Sequence, residues 1–174
     1  MLAYAKGDAT AFDQLYARHK QPLFVFFLRQ NLPRSIAEEL CHDTWLKLIK
    51  NRHGYQTNAL FTTFLFTIAR RIAIDYTQKK SVNLEKQETD NAAQSILSPA
   101  QQNNDKDNQT LVMALKEQIA ALPFEQREVF LLKQEAGFSL EDIAKITFQN
   151  KEKVKSCWRY ALQKMRKGLR FYDQ

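Results

Sequence analysis

Between Lys151 and Arg170 the chain places eight Lys or Arg residues against a single acid, Glu152. At about 100° per residue counted from Val154, Lys155, Arg159, Arg166 and Arg170 fall on one arc of a helix. Val154, Trp158, Ala161, Leu162, Met165 and Leu169 share the neighbouring arc. A helix with one apolar and one basic stripe, fixed to a small domain by its apolar side, presents cations to a polyanion in a set orientation. Release of counterions from phosphates makes that contact favourable. A solvated, lysine-rich helix has the same composition, so the preceding elements must carry the distinction.

Those elements have helix-turn-helix order. Ser139-Leu-Glu-Asp142 is close to a capping box, in which the serine hydroxyl accepts a backbone N–H near Asp142 and the acids favour the positive end of the helix. The helix it starts carries Leu140, Ile143, Ala144 and Ile146 inward and breaks between Thr147 and Asn150, where Asn150 can cap the basic helix. Upstream, Pro123 starts another helix, whose Val129, Phe130, Leu131 and Leu132 supply the third wall of a core. Two helices joined by a short polar turn, with the second one basic, read as a DNA-binding module.

Four glycines, four prolines and abundant Leu, Ala, Lys and Gln in 174 residues predict an all-α protein. Residues 81–109 are too polar to bury a core, apart from Val82, Leu84, Ile96 and Leu97, and carry Pro99 in their middle. They predict a flexible acidic linker between a domain at 1–80 and a domain at 110–174. Charge divides the same way: residues 1–80 hold 12 basic and 6 acidic side chains, 81–109 hold 2 and 5, and 110–174 hold 12 and 8. Two well-separated cysteines, Cys41 and Cys157, offer neither a disulfide framework nor a metal quartet and favour a reducing compartment. The apolar run from Leu60 to Ile68 contains threonines and ends near Arg70-Arg71, too short to span a bilayer. With no signal peptide in view, the expected location is the cytoplasm, without membrane insertion.

In the first domain, helical spacing predicts one helix from about Asp8 to His19 and a second from about Pro22 to Asn31, with proline in its first turn. Pro33 followed by Ser35-Ile-Ala-Glu38 predicts a stop and then a full capping box, starting a third helix that reaches about Lys50. On that helix Ile36, Ala37, Leu40, Cys41, Thr44, Trp45 and Leu48 point inward, leaving Glu38, Glu39, His42, Asp43, Leu46 and Lys50 outside. A leucine among charges on an otherwise solvated face suits a docking surface with an apolar centre and a charged rim, although single exposed leucines are ordinary. After the loop Asn51 to Asn58, a fourth helix is predicted from about Ala59 to Thr77, with Phe61, Phe64, Leu65, Ile68, Ile72 and Tyr76 on one side. Thr63, Phe66, Thr67, Arg70 and Ile74 lie on the other. Phe66 beside Arg70, near Tyr55 and Asn58, would suit an unpaired nucleic-acid strand, with bases stacking on rings and arginine meeting phosphate. A helix buried on both sides is the competing reading.

The motifs Ala37-Glu-Glu-Leu-Cys-His-Asp-Thr-Trp-Leu46, Thr63-Phe-Leu-Phe-Thr-Ile-Ala-Arg70 with Ile74-Asp75, Leu122-Pro-Phe-Glu-Gln-Arg-Glu-Val-Phe-Leu-Leu132, Phe138-Ser-Leu-Glu-Asp-Ile-Ala144, and Val154-Lys-Ser156 with Arg159-Tyr-Ala161 follow one another in order. Together they resemble the signatures of bacterial RNA polymerase sigma factors. The pattern is most similar to the small extracytoplasmic-function members of the sigma-70 family, which keep only regions 2 and 4. The resemblance covers roughly residues 8–80 and 111–170.

It implies a factor that binds core polymerase through its β and β′ subunits, directs it to promoters and assists DNA melting, without catalysis or a cofactor or metal of its own. The core-binding residues implied are Glu39, His42, Asp43, Leu46 and Lys47. Tyr55, Asn58, Phe61, Phe66, Thr67, Arg70 and Arg71 are implied to contact the minus-10 element. Lys151, Lys155, Ser156, Arg159, Tyr160 and Gln163 are implied to contact the minus-35 element. An anti-sigma protein is a further partner that the resemblance suggests.

Four positions depart from the pattern. Phe64 stands where the family usually has tryptophan and Arg71 where it often has asparagine, which bears on base discrimination. Phe148-Gln149 replace a favoured Gly-Val, and Cys157-Trp158 an Arg-Leu pair. A bulky residue at a turn position that needs positive φ is costly, so the turn is expected to be strained or rebuilt.

Two other classes of protein would place different demands on this sequence. A helix-turn-helix regulator acting outside polymerase would need a receiver or ligand domain, and residues 1–80 show neither alternating strands nor phosphoacceptor clusters. A metal-dependent hydrolase would have to use His19, Cys41, His42, Asp43 and His53. Cys41, His42 and Asp43 are consecutive, so they splay apart on a helix, and no HExxH or paired-cysteine spacing occurs.

Overall fold

Eight α-helices and one 3-10 turn make up the regular structure in the computed structural model, which describes residues 1–57, 60–86, 106–134 and 136–169. A short helix α1 (Leu2–Ala5) precedes α2 (Ala9–Leu28), whose start is set by Asp8. The Asp8 carboxylate accepts the backbone N–H groups of Thr10 at 3.0 Å and Ala11 at 3.2 Å. The Thr10 hydroxyl, donating to the same carboxylate at 2.6 Å, and then these backbone hydrogen bonds lower its pKa from the ordinary carboxylate value.

The two helices predicted on either side of Pro22 are one helix, with the proline inside it. An interior proline removes one hydrogen bond and costs about 3 kcal/mol or more. Leu23, Phe26 and Phe27, at 0, 1 and 0% exposure, lie just beyond it. Burying each stabilises by roughly 1.5–3 kcal/mol, which outweighs the break.

The capping box predicted at Ser35 does not form. Helix α3 (Arg34–Lys50) begins two residues earlier than that box requires, with Pro33 at the cap position and no side-chain cap. Glu38, the acid such a box requires, instead accepts from Arg34 Nε at 2.9 Å. Arg52–Gly54 form the 3-10 turn, and α4 (Phe61–Lys86) runs nine residues past the predicted end at Thr77. Helix α5 (Lys106–Ala120) follows, so helical structure enters both ends of the predicted 81–109 linker; residues 87–105 lie outside the described residues.

Helices α6 (Phe124–Gln134), α7 (Leu140–Thr147) and α8 (Lys151–Leu169) complete the chain as the sequence predicts. Ser139 Oγ accepts the Asp142 N–H at 3.0 Å, and Asn150 Oδ1 accepts that of Lys153 at 2.7 Å. Both helices of the helix-turn-helix therefore carry side-chain caps. Between them Phe148 adopts the left-handed conformation, φ 55° and ψ 34°, while its ring stands 79% exposed.

In the first domain α3 packs against α2 and α4, and in the second α8 packs against α5, α6 and α7. The apolar stripe of α8 is centred on Val154, Cys157, Ala161 and Met165, so Cys157 belongs to the core. Trp158 and Leu162 lie at its margin, with Trp158 stacked on Phe130 at 5.8 Å. Helix α4 packs directly against α7, and one buried apolar cluster continues from Leu23 through Phe66 and Phe138 to Met165.

Candidate nucleic-acid and partner interface

Three surfaces follow from this packing. The first is the outer side of α3. Inward-pointing Ala37, Leu40, Thr44, Trp45 and Leu48 are buried, which turns Glu39, His42, Asp43 and Leu46 to solvent and leaves Lys47 half-buried. Leu46 is 39% exposed, an apolar centre with acids on the preceding turn. Beside it α2 and α3 bound a groove of about 410 Å3 lined by Tyr16, Lys20, Phe24, Arg34, Glu38 and His42, with the Arg34 guanidinium 5.5 Å from the Phe24 ring centre. Cys41 lies on the wall of this groove. Burial, reinforced by the negative charge of Glu38, pushes its thiol up to about 12.

The second surface is the loop after α3 and the start of α4. The Tyr55 ring packs edge-on against Phe64 at 5.2 Å and Phe61 at 6.4 Å, and Phe61 also meets His19 at 5.3 Å. All four are half-buried. Asn58 lies outside the described residues. Thr67 is half-buried and its hydroxyl donates to the Thr63 carbonyl at 2.7 Å.

Phe66 is not on an outward face. It is 2% exposed, between Phe26 at 5.4 Å and Phe138 at 5.1 Å, both edge-on. The expectation of an accessible stacking ring there is corrected by the second domain, which supplies Phe138 and covers it. Arg70 is also engaged: its Nε donates to Glu128 Oε1 at 2.8 Å, and the two side chains are 15% and 1% exposed. Burial pushes the Glu128 carboxyl above the usual carboxylate range, against the opposing pull of Arg70. Arg71, next in sequence, is exposed.

Glu128 is the residue that sequence reading missed. It shares a helical face with Leu131 and Leu132, both at 0% exposure, so it is an acid on the inward side of α6. A buried charge demands a partner; its position in that apolar run was the available signal that a cation would arrive from elsewhere.

The third surface is α8. Lys151, Arg159, Tyr160 and Gln163 are exposed, while Lys155 and Ser156 are half-buried. Several of its lysines are held by acids. Lys151 pairs with Glu141, Lys153 with Glu125 at 2.6 Å, and Lys155 with Glu152 at 2.8 Å. Such exposed pairs contribute little to stability, being screened by solvent, and exchange readily for phosphate. Arg170 lies outside the described residues.

Among the described residues no group of His, Cys, Asp and Glu is arranged to hold a metal ion, and no helix is long and apolar enough to cross a membrane. A helical domain with a loop-and-helix surface, packed on a capped helix-turn-helix whose second helix is basic, has the form of a two-domain DNA-binding protein.

Residues 15–82 match the family described as Sigma-70 region 2, and residues 112–156 the family described as Sigma-70, region 4. The chain belongs to the sigma-70 family and is a sigma factor of the extracytoplasmic-function type, directing RNA polymerase to promoters. It is 28% identical over 144 residues to the RNA polymerase sigma factor CarQ of Myxococcus xanthus, spanning 82% of this chain and 80% of that one. It is 24% identical over 164 residues to the ECF RNA polymerase sigma factor SigX of Bacillus subtilis, spanning 91 and 83%.

The fold is similar to that of RpoE in its complex with the anti-sigma factor NepR from Bartonella quintana, with a TM-score of 0.82 and 22% identity over 95% of this chain and 100% of that one. It is also similar to that of CnrH in complex with the cytosolic domain of CnrY, with a TM-score of 0.70 and 20% identity over 98 and 94%.

Proposed function

We propose that this sigma factor divides its task among the three surfaces. The outer side of α3, through Glu39, His42, Asp43, Leu46 and Lys47, holds the β′ side of core polymerase. Leu46 supplies the desolvated centre and the charges the rim. Tyr55, Asn58, Phe61, Thr67, Arg70 and Arg71 engage the minus-10 element as it is unpaired, and Lys151, Lys155, Ser156, Arg159, Tyr160 and Gln163 meet the minus-35 element in the major groove. Catalysis stays with the core enzyme, and the chain acts in the cytoplasm where that enzyme works. An anti-sigma protein is a further proposed partner; the RpoE structure is a complex with one.

The observation that carries this reading is the match to both sigma regions in one chain, joined to a capped helix-turn-helix that turns Lys151, Arg159 and Gln163 outward. Transcription in vitro with core polymerase over a genomic promoter library, with start sites mapped, tests it. Dependent transcripts should share minus-10 and minus-35 elements. Permanganate reactivity of promoter thymines should fall in Tyr55→Ala and Asn58→Ala while closed-complex binding persists. The absence of any dependent transcript across a range of salt would favour a helix-turn-helix regulator acting outside polymerase.

A further inference from the structure

Phe148 carries two costs for which the folded chain shows no return. Its backbone is left-handed, at φ 55° and ψ 34°, a conformation that crowds the Cβ of an L residue and that glycine bears freely. Its ring, 79% exposed, is the most exposed large apolar side chain among the described residues. A phenyl group stabilises a fold only by leaving water, so neither packing nor turn chemistry accounts for phenylalanine here. Strain that the surroundings hold in place concentrates at binding sites.

The turn is fixed from both sides. The backbone N–H groups of Phe148 and Gln149 both donate to the Ala144 carbonyl, the latter at 3.1 Å. Thr147, just before, is buried, and its hydroxyl donates to the Ile143 carbonyl at 2.7 Å. Gln149, just after, is half-buried and its Nε2 donates to Glu125 Oε1 on α6 at 3.1 Å. Both neighbours are therefore turned back onto the domain, and Phe148 alone is shown to solvent from a rigid mount.

Its position says what it meets. In a helix-turn-helix the N-terminal residues of the second helix reach base edges in the major groove, and Phe148 precedes Lys151, the first residue of α8, by three. Lys151 and Lys153 are held there by Glu141 and Glu125 in exposed pairs that yield to phosphate. A phenyl ring offers a base no hydrogen bond; the major-groove group that it fits is the C5-methyl of thymine. We propose that Phe148 is a specificity-determining residue for the minus-35 element, packing its ring on a thymine methyl at the edge of the segment read by α8. The proposal rests on the minus-35 reading of α8. Because the turn is already set in the free chain, the contact adds affinity with little further ordering.

Holoenzyme binding to promoter duplexes taken from the mapped start sites tests it, with each minus-35 thymine replaced in turn by deoxyuridine, which lacks only the methyl. At one thymine the closed-complex affinity of the parent should fall about fourfold, the scale of one buried methyl group. Phe148→Asn removes the ring but keeps a residue that tolerates the left-handed turn. It should bind the thymine duplex more weakly than the parent and be indifferent to deoxyuridine at that one position, while dependence at other thymines persists. Phe148→Gly should show the same indifference in a chain relieved of backbone strain, which separates loss of the contact from loss of the fold.

Equal affinity losses for thymine and deoxyuridine duplexes at every position would overturn the proposal and place the ring on the sugar-phosphate backbone or on polymerase. Parental affinity and parental methyl dependence in Phe148→Asn would overturn it as well. The minus-35 reading fails separately, if holoenzymes carrying Lys155→Ala and Arg159→Ala bind and discriminate minus-35 variants as the parent does.

Discussion

Arg70 and Glu128 are 58 residues apart in the chain, and Arg70 Nε meets Glu128 Oε1 at 2.8 Å with the carboxylate only 1% exposed. This pair joins α4 of the first domain to α6 of the second. It also removes from solvent the arginine best placed by sequence to meet a promoter phosphate. The face of α4 proposed to meet promoter DNA is therefore the face on which the second domain packs.

Leu46→Ala should weaken binding to core polymerase by about 2 kcal/mol, the scale of a central apolar anchor. Leu46 is 39% exposed and lies outside the buried cluster, so helicity and thermal midpoint should hardly move. Exchange of Glu39 or Asp43 for a neutral residue should act mainly on association rate. Surface-captured core polymerase measures both, and an unchanged affinity for Leu46→Ala would remove α3 from the interface.

Phe148→Gly should raise stability by about 1 kcal/mol. The residue is left-handed at φ 55°, a conformation that costs an L side chain roughly 1–2 kcal/mol, while its 79% exposed ring has little packing to lose. The greater freedom of glycine in the unfolded chain offsets part of the gain. Denaturant titration decides the sign, and a fall in stability would mean that the ring packs on something.

Lys155→Ala should flatten the dependence of log affinity on log salt for minus-35 duplex by about 0.9 if Lys155 meets one phosphate. The ion pair with Glu152 at 2.8 Å is exposed, so its release costs little. Arg159→Ala should instead cost about 1–3 kcal/mol at one base pair if the guanidinium forks onto a guanine. Fluorescence anisotropy at several salt concentrations, with single-base variants of the site, separates the two.

Alkylation of Cys41 by iodoacetamide should be suppressed in the folded chain. Its thiol is pushed from 9.0 to about 12, first by burial and then by Glu38. At pH 9 only about one thiol in a thousand would be ionised, against about half in the unfolded chain. A raised pKa favours the neutral thiol in the fold, so its contribution to stability is complete below pH 9 and declines as pH rises toward 12. Glu38→Gln should raise the labelling rate, and mass spectrometry after timed quenching reads both. Rapid labelling of the native chain at pH 9 would show that Cys41 is not held in this environment.

Much of this architecture was legible in the sequence because it is local. Ser139 and Asn150 cap their helices through atoms three residues away, and the stripes of α3 and α8 follow from helical period alone. Exposure of Leu46 follows from the same helical period, whereas the left-handed turn at Phe148 follows from the resemblance, which has glycine at that position. Where two local signals compete, the outcome depends on what lies opposite. Pro22 stays inside α2 because Leu23, Phe26 and Phe27 are gripped by the core, and Glu38 turns to Arg34 rather than to a cap. The fate of α4 was beyond any local rule. Its period gives Phe66 and Arg70 a common face but is silent on whether that face meets water or protein. Phe138 and Glu128, more than fifty residues downstream, bury it. Spacing along a chain determines which side chains point together, whereas only tertiary packing, by filling or leaving empty the space in front of them, decides what they touch.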